Sequence, residues 1–294
     1  MKRIVLFLLT NLLIMVTIGI MLLLVDVFFR LSLTAGGDVM QLGMLLLYSV
    51  IVGFTGALIS LALSRVIAKS AMRVKVLRAE DGLDAREQKV LQFVHQLSRQ
   101  AGLKTMPEVG IYESSEVNAF ATGPTKSRSL VAVSSGLLDQ LDERAVEAVI
   151  AHEVAHIVNG DMVTMTLLQG LINTFVVFLS RVVAFVLSRL VRPQLSSLVY
   201  FLVAIVAQII FSILGALVVM AYSRHREFKA DAGGAQWVGK PQMAHALKSL
   251  RSTVELTDDS HKSLSTLKIS GKASIASLFS SHPPLEERIR RLES

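Results

Sequence analysis

In the stretch VIAHEVAHIVNGD, Val149–Asp161, two histidines stand four residues apart with a glutamate between them. On a helix, residues i and i+4 share one face about a turn apart. His152 and His156 would therefore offer two imidazoles to one point, the spacing at which a single zinc ion binds both at about 2.0–2.1 Å. Glu153, next to His152, would lean over the same point and take a proton from a water there. This is the HExxH pattern of zinc metalloproteases. Ala151, Val154, Ala155, Ile157 and Val158 make the remainder of the helix apolar. Burying two imidazoles and a carboxylate there without a partner would be costly, and a metal ion removes the cost.

A catalytic zinc needs a third protein ligand and keeps its fourth position for water. The pattern does not continue as HExxHxxGxxH, because Asn159 and Gly160 are followed by Asp161 and Met162. The third ligand must come from elsewhere. There is no cysteine, which excludes thiolate ligands and disulfides. The other histidines are His95, His225, His245, His261 and His282. The leading carboxylate candidate lies in SRHREFKADAGG, where Glu227 and Asp231 are four apart on one helical face. Glu227 would bind the metal. Asp231 would accept the outer N–H of a ligand histidine and fix its tautomer. His225 is the main rival for the third place. If neither acid serves the metal, the pair merely balances Arg224, Arg226 and Lys229. Asp161 is expected to cap or brace the end of the metal helix. His95, His245 and His261 lie on amphipathic or loop segments and read as surface or packing residues.

Four long apolar segments frame these residues, at about 4–25, 40–63, 163–187 and 198–222, the third interrupted by Arg181. Each approaches or exceeds the roughly 20 residues a helix needs to cross hydrocarbon. The chain is 52% hydrophobic, beyond an ordinary soluble domain. The first segment follows Lys2 and Arg3 but is longer than a signal-peptide core, so a retained anchor is expected. Arg65, Lys69, Arg73, Lys75 and Arg78 follow the second segment, so both ends of the first hairpin favour the cytoplasm. Segment four ends in the basic SRHREFKAD, giving an even number of crossings between the polar flanks of the second pair. Arg189 and Arg192 in its link oppose a position outside, so this pair either crosses weakly or packs as a hairpin within the membrane or against the protein. The expected organisation is a transmembrane hairpin over 1–64, a first catalytic part over 65–162, a second apolar hairpin over 163–222 and a second catalytic part over 223–294.

Between segments two and three, DAREQKVLQFVHQLSRQAG has helical periodicity and a glycine stop. PEVGIYES, EVNAFATG and SLVAVSSGLL read as short strands, with GPTKSRS as a hairpin loop between the last two. The HExxH helix follows, so a small α+β domain is expected rather than a βαβ array. EVNAFATG, 116–123, is a candidate edge strand for pairing with an extended substrate through Asn118, Ala119 and Phe120. Asn118 would hold a substrate carbonyl, or else it serves the strand end. His282 precedes two prolines and is held extended. It would stabilise an oxyanion, or be a structural histidine in a turn. Arg288 is a candidate brace for Asp231 or for a substrate. Residues 256–274 read as a surface loop, and HPPLEERIRRLES as a turn and short helix.

The net charge of +7 fits flanks beside anionic lipid. No basic stretch interleaves with aromatics, so nucleic acid is not expected as a partner. A transporter is disfavoured, because only Arg181 is charged within the apolar segments. A non-catalytic scaffold or metal sensor with structural zinc would not need the HExxH glutamate.

AHEVAHIVNGD, SRHREFKADA and SHPPLEERI, with NAFATG upstream and four apolar segments, resemble the HtpX family of bacterial membrane-bound zinc proteases, relatives of the CAAX prenyl endoproteases. The likeness spans essentially the whole chain. It implies a multi-pass, mainly helical membrane protein with a cytoplasmic α+β zincin-like (gluzincin) domain. It implies one Zn²⁺ held by His152, His156 and Glu227, with Glu153 as catalytic base. It implies an inner-membrane enzyme hydrolysing misfolded or damaged membrane proteins under stress, overlapping with other membrane proteases. The alternative is a specific processing endopeptidase for a membrane or lipidated substrate.

Overall fold

The computed structural model describes residues 12–14, 16–18, 20, 38–260 and 280–294. Segment one, at 4–25, lies outside them except for seven helical residues, and His261 and most of the 256–274 stretch lie outside entirely. The chain divides into two compact units. One comprises residues 1–61 and 164–219; the other comprises 62–163 and 220–294.

The first unit is helical. Its described helices are the start of α1 (Asp38–Met72), most of α5 (Asp161–Ser188) and the first part of α6 (Pro193–Val238). All three are long and apolar enough to cross a membrane. Phe201, Ile209, Leu214 and Val218 on α6 are exposed by half or more of their surface or close to it, a cost in water but not in lipid. Small residues set the packing. A side chain at Gly53 would strike Thr174 and the Gly170 carbonyl, and one at Gly170 would strike the Phe54 ring. Close backbone approach of this kind drives helix association in membranes. The one arginine within segment three is answered in place: Arg181 donates to Gln208 at 2.8 Å.

The second unit is the expected α+β domain. Four strands, β1 (Lys75–Leu77), β2 (Glu108–Tyr112), β3 (Ala119–Thr125) and β4 (Arg128–Ser134), form a sheet in the order β1-β2-β4-β3. The β2–β4 pair is parallel and the other two are antiparallel. Among the described residues, helices α2 (Ala85–Gln100), α3 (Ser135–Gln140), α4 (Glu143–Asn159), α7 (Lys240–Ser260) and α8 (Leu285–Glu293) join it, with the end of α1 and the C-terminal part of α6. Helix α2 opens with a capping box, Asp84 and Glu87 bonding each other's backbone N–H. Strand β4 is buried along nearly its whole length. Val131 and Val133 join α2 and α4 in the main core, while Leu130 and Ala132 meet Tyr112, Ala68 and Met72 in a smaller one.

Several boundaries differ from expectation. GPTKSRS is not a long loop: β3 runs to Thr125 and β4 starts at Arg128, leaving Lys126 and Ser127 as the turn. The extra length is taken up by a bulge between Thr122 and Thr125, with Gly123 at φ 147° against the Arg128 carbonyl. In SLVAVSSGLL the strand stops at Ser134, whose side chain caps α3 through the Leu137 N–H. Strand β1 lies in what reads as a basic flank, because three residues are too few for alternation to show. Residues 256–260 continue α7 rather than starting a loop.

Candidate metal centre

Helix α4 carries the HExxH residues. Asp142 caps its start by accepting from the Ala145 N–H, and Gly160 ends it in the left-handed region at φ 73°. Ala145, Ala148, Ala151, Val154 and Ile157 are fully buried, which fixes the rotation of the helix. His152 and His156 are then both directed inward, each 7% exposed.

The C-terminal part of α6 packs against this helix through small residues. Glu227, Ala230, Asp231 and Gly234 recur at helical spacing and are all buried. A side chain at Gly234 would come within 3.1 Å of the Ala151 and His152 backbone, and one at Gly233 within 3.2 Å of Ala155. The close contact brings both acids to the histidines. His152 Nε2 lies 3.4 Å from Glu227 Oε2, His156 Nε2 lies 3.4 Å from Oε1, and the two Nε2 atoms are 3.1 Å apart. The ligand atoms of His152, His156 and Glu227 all lie within 4.8 Å of one another. His225, the rival third ligand, is not among them.

The outer faces of the rings are held by carboxylates. His152 Nδ1 pairs with Asp231 at 2.9 Å, and His156 Nδ1 pairs with Asp161 at 2.6 Å. Each carboxylate holds the imidazole proton on Nδ1, so that a ring which gives up its other proton presents an Nε2 lone pair inward. Glu227 is 0% exposed and its Oε1 has no hydrogen-bond partner. Three acceptors thus converge in a buried place, an arrangement that is costly unless a cation joins them. The donor set fits a metal ion, and two imidazoles with one carboxylate is the set typical of zinc peptidases.

Asp231 is itself fixed. Buried Arg288 on α8 donates to both its oxygens at 2.8 and 2.7 Å. The brace expected at Arg288 is therefore present, as a two-pronged ion pair. The role of Asp161 is more specific than a cap. The left-handed turn at Gly160 places it to hold His156, and a Gly-Asp pair directly after the second histidine is the signal that could have disclosed this. Ser134 was missed: its hydroxyl accepts from the Asn118 N–H at 3.1 Å and donates to the Glu116 carbonyl at 2.6 Å. His282 is not a buried turn residue. Its side chain is 59% exposed, and its Nδ1 meets Glu227 Oε2 at 2.8 Å.

A cavity of about 130 Å³ opens on this cluster, with Asn118, His152, Glu153, Glu227, His282 and Arg288 on its polar side. Glu153 is half-buried there. Strand β3, beginning directly after Asn118, is one of the two edge strands of the sheet.

Asp231→Asn is expected to weaken metal binding about 10–100-fold, since it removes the charge that orients His152 and pairs with Arg288. Competition with a chromophoric chelator measures this, and a change under twofold would contradict it. Protons compete with the metal for the same lone pairs. Burial opposes a charged His156, but the hydrogen bond to Asp161 and the nearby Glu227 carboxylate outweigh it and raise the ring to about 9. His152 is raised in the same way by Asp231 and Glu227 against burial. At pH 8 His156 still carries a second proton, so metal uptake should expel a proton, and apparent affinity should climb as pH rises through about 9. Calorimetry in buffers of different ionisation enthalpy reads the proton count; no release at pH 8 would refute it.

Comparison with known proteins agrees with this chemistry. Residues 84–294 match the model of peptidase family M48. The chain is 59% identical to a protease HtpX homolog of Bacillus pumilus, over 100% of this chain and 99% of that one. It is 57% identical to a protease HtpX homolog of Bacillus subtilis at the same coverage, and 46% identical to protease HtpX of Thioalkalivibrio sulfidiphilus over 100% of this chain and 99% of the relative. Among solved structures, S. mikatae Ste24p superposes with a TM-score of 0.60 at 20% identity, covering 99% of this chain and 66% of that one, a likeness of fold. With its HExxH helix and the glutamate of a second helix inside residues 84–294, and with relatives matched along its whole length, the chain belongs to peptidase family M48 as a membrane metalloprotease homologous to the HtpX proteases.

Proposed function

We propose that the chain is a zinc endopeptidase that hydrolyses misfolded or damaged membrane proteins, with its catalytic unit on the cytoplasmic side of a bacterial inner membrane. The observation that carries the reading is the convergence of His152, His156 and Glu227 in one cavity with Glu153, in a chain whose described residues include three helices apolar enough to span a bilayer. A bound zinc would polarise the scissile carbonyl and acidify the attacking water towards a pKa of about 7. Glu153 accepts the proton of that water and later delivers it to the leaving amine. Asp231 and Asp161 keep the two imidazoles in the tautomer that leaves Nε2 free for the ion. Substrate lies extended along β3, adding a strand to the sheet edge, so that main-chain hydrogen bonds bind it without demanding a sequence. In this reading Asn118 and His282 hydrogen-bond its carbonyls, His282 as a stabiliser of the developing oxyanion. Basic flanks at Arg65–Arg78 and in SRHREFKAD support the cytoplasmic placement.

The test uses the full chain in lipid nanodiscs with a panel of unrelated membrane proteins, each offered folded and unfolded. Cleavage of most unfolded members and sparing of folded ones supports quality control. Cleavage of one member at one bond, whatever its folding state, would replace this reading with specific processing.

A further inference from the structure

The hydroxyl of Tyr112 is a buried polar group that the hydrolysis mechanism does not use. Tyr112 ends β2 and is 2% exposed, and its hydroxyl has no hydrogen-bond partner among the described residues. A buried hydroxyl without a partner is costly and uncommon. The ring itself is fixed. It packs with Leu130 and Ala132 of β4 and lies 5.7 Å from the Phe120 ring of β3. The sheet register sets its neighbours. Tyr112 stands opposite Ser134 in the β2–β4 pair. Ser134 bonds Asn118 twice: its N–H donates to the Asn118 carbonyl at 2.9 Å, and its hydroxyl accepts from the Asn118 N–H at 3.1 Å. Tyr112, Ser134 and Asn118 thus form one row across the sheet, ending at the residue before β3.

Donors and acceptors decide which neighbour the phenol can bond. A serine hydroxyl has one proton and two lone pairs. Ser134 gives its proton to the Glu116 carbonyl at 2.6 Å and accepts from the N–H groups of Asn118 and Leu137 at 3.1 and 3.0 Å. Nothing on it is left for Tyr112. The other polar side chain beside the phenol is the Asn118 carboxamide. Burial pushes the phenol above its ordinary value, with the Ser134 and Asn118 side chains opposing. The phenol therefore keeps its proton at neutral pH and is a donor. Only Oδ1 of a carboxamide accepts, and a bond there leaves the NH₂ group for another partner. Asn118 is exposed and lines the cavity with His152 and Glu153.

Resting on the peptidase reading and on Asn118 as holder of a substrate carbonyl, we infer that Tyr112 is a positioning residue for Asn118. When substrate binds, the Tyr112 hydroxyl donates to Asn118 Oδ1 and fixes the carboxamide with its NH₂ toward the substrate carbonyl. Hydrogen bonds that are open in a free enzyme commonly close in this way. Tyr112 touches no substrate itself.

The test is a double-mutant cycle in the zinc-loaded full chain, read on one peptide built around a cut site mapped in a denatured soluble protein. Asn118→Ala is expected to lower kcat/KM about tenfold, mostly through KM, because its bond to a carbonyl is made before the transition state. Tyr112→Phe removes only the hydroxyl. It should lower kcat/KM about three- to tenfold, again through KM, with metal content and thermal unfolding unchanged. In the Asn118→Ala background it should change kcat/KM by less than about twofold. An equal loss from Tyr112→Phe in both backgrounds, or none in either, refutes the positioning role while Asn118 keeps its own. A Tyr112→Phe protein that is less stable or fails to fold makes the hydroxyl structural and refutes it too. Wild-type activity in Asn118→Ala removes both residues from substrate binding and leaves the peptidase reading standing. A zinc-loaded wild type that cuts no peptide overturns that reading as well.

Discussion

Glu153→Gln is expected to keep the metal and to lower kcat by about 10²–10⁴-fold, the range a positioned general base contributes. The two halves of this result come from different features. Metal retention follows because the three converging donors are His152, His156 and Glu227, and Glu153 is not one of them. Glutamine has the size of glutamate, so α4 and its buried face are undisturbed. Loss of turnover follows because an amide cannot accept the proton of the attacking water. The group acts in the transition state and not in holding the peptide, so KM should change little. Elemental analysis of the purified variant and steady-state kinetics on one peptide measure both halves. Turnover within threefold of wild type would remove Glu153 from the mechanism. Loss of metal would make it a ligand. The same experiment excludes a purely structural metal, for which Glu153→Gln would alter nothing.

The metal helix was legible because its signal is local. His152 and His156 need only the period of a helix to share a face, and the alanines around them need only be small and apolar. Glu227 and Asp231 were legible for the same reason, as a second i, i+4 pair. What joined them to the histidines was not local. The distance between α4 and α6 is set by Gly233 and Gly234 against Ala151 and Ala155, a packing fact that spacing within either segment does not contain. For that reason residue patterns alone left His225 in contention. Asp161 reads in the sequence only as a cap or brace of the metal helix, because its reach to His156 depends on the left-handed turn at Gly160. Ser134 gave no signal, since a serine at a strand end is ordinary until the Asn118 N–H is found against it. In the sheet, β4 reads clearly from its valines, whereas β1 is too short to show any pattern and exists because its backbone pairs with β2.

Glu227→Gln should abolish stable metal binding, with an affinity loss beyond the roughly 100-fold upper range that loss of an outer partner causes. Activity should fall with it to background. Glu227 is fully buried, and cationic or proton-bearing groups surround its carboxylate. His282 Nδ1 lies at 2.8 Å, Arg226 Nη2 at 3.7 Å and Arg288 Nη1 at 3.8 Å, besides the two imidazoles. A neutral amide removes the only negative charge among the three donors, so a dication would face two neutral rings and nearby guanidinium groups in a poorly solvated site. The amide can also turn its NH₂ toward an Nε2 lone pair, filling with a hydrogen bond the direction the ion requires. A ligand that binds only the folded state raises stability by about 2.7 kcal/mol at one hundred times its dissociation constant. Zinc added to the wild type and to Glu153→Gln should therefore shift thermal unfolding upward, and zinc added to Glu227→Gln should not. An equal zinc-dependent shift in all three proteins would mean that Glu227 is not the third ligand.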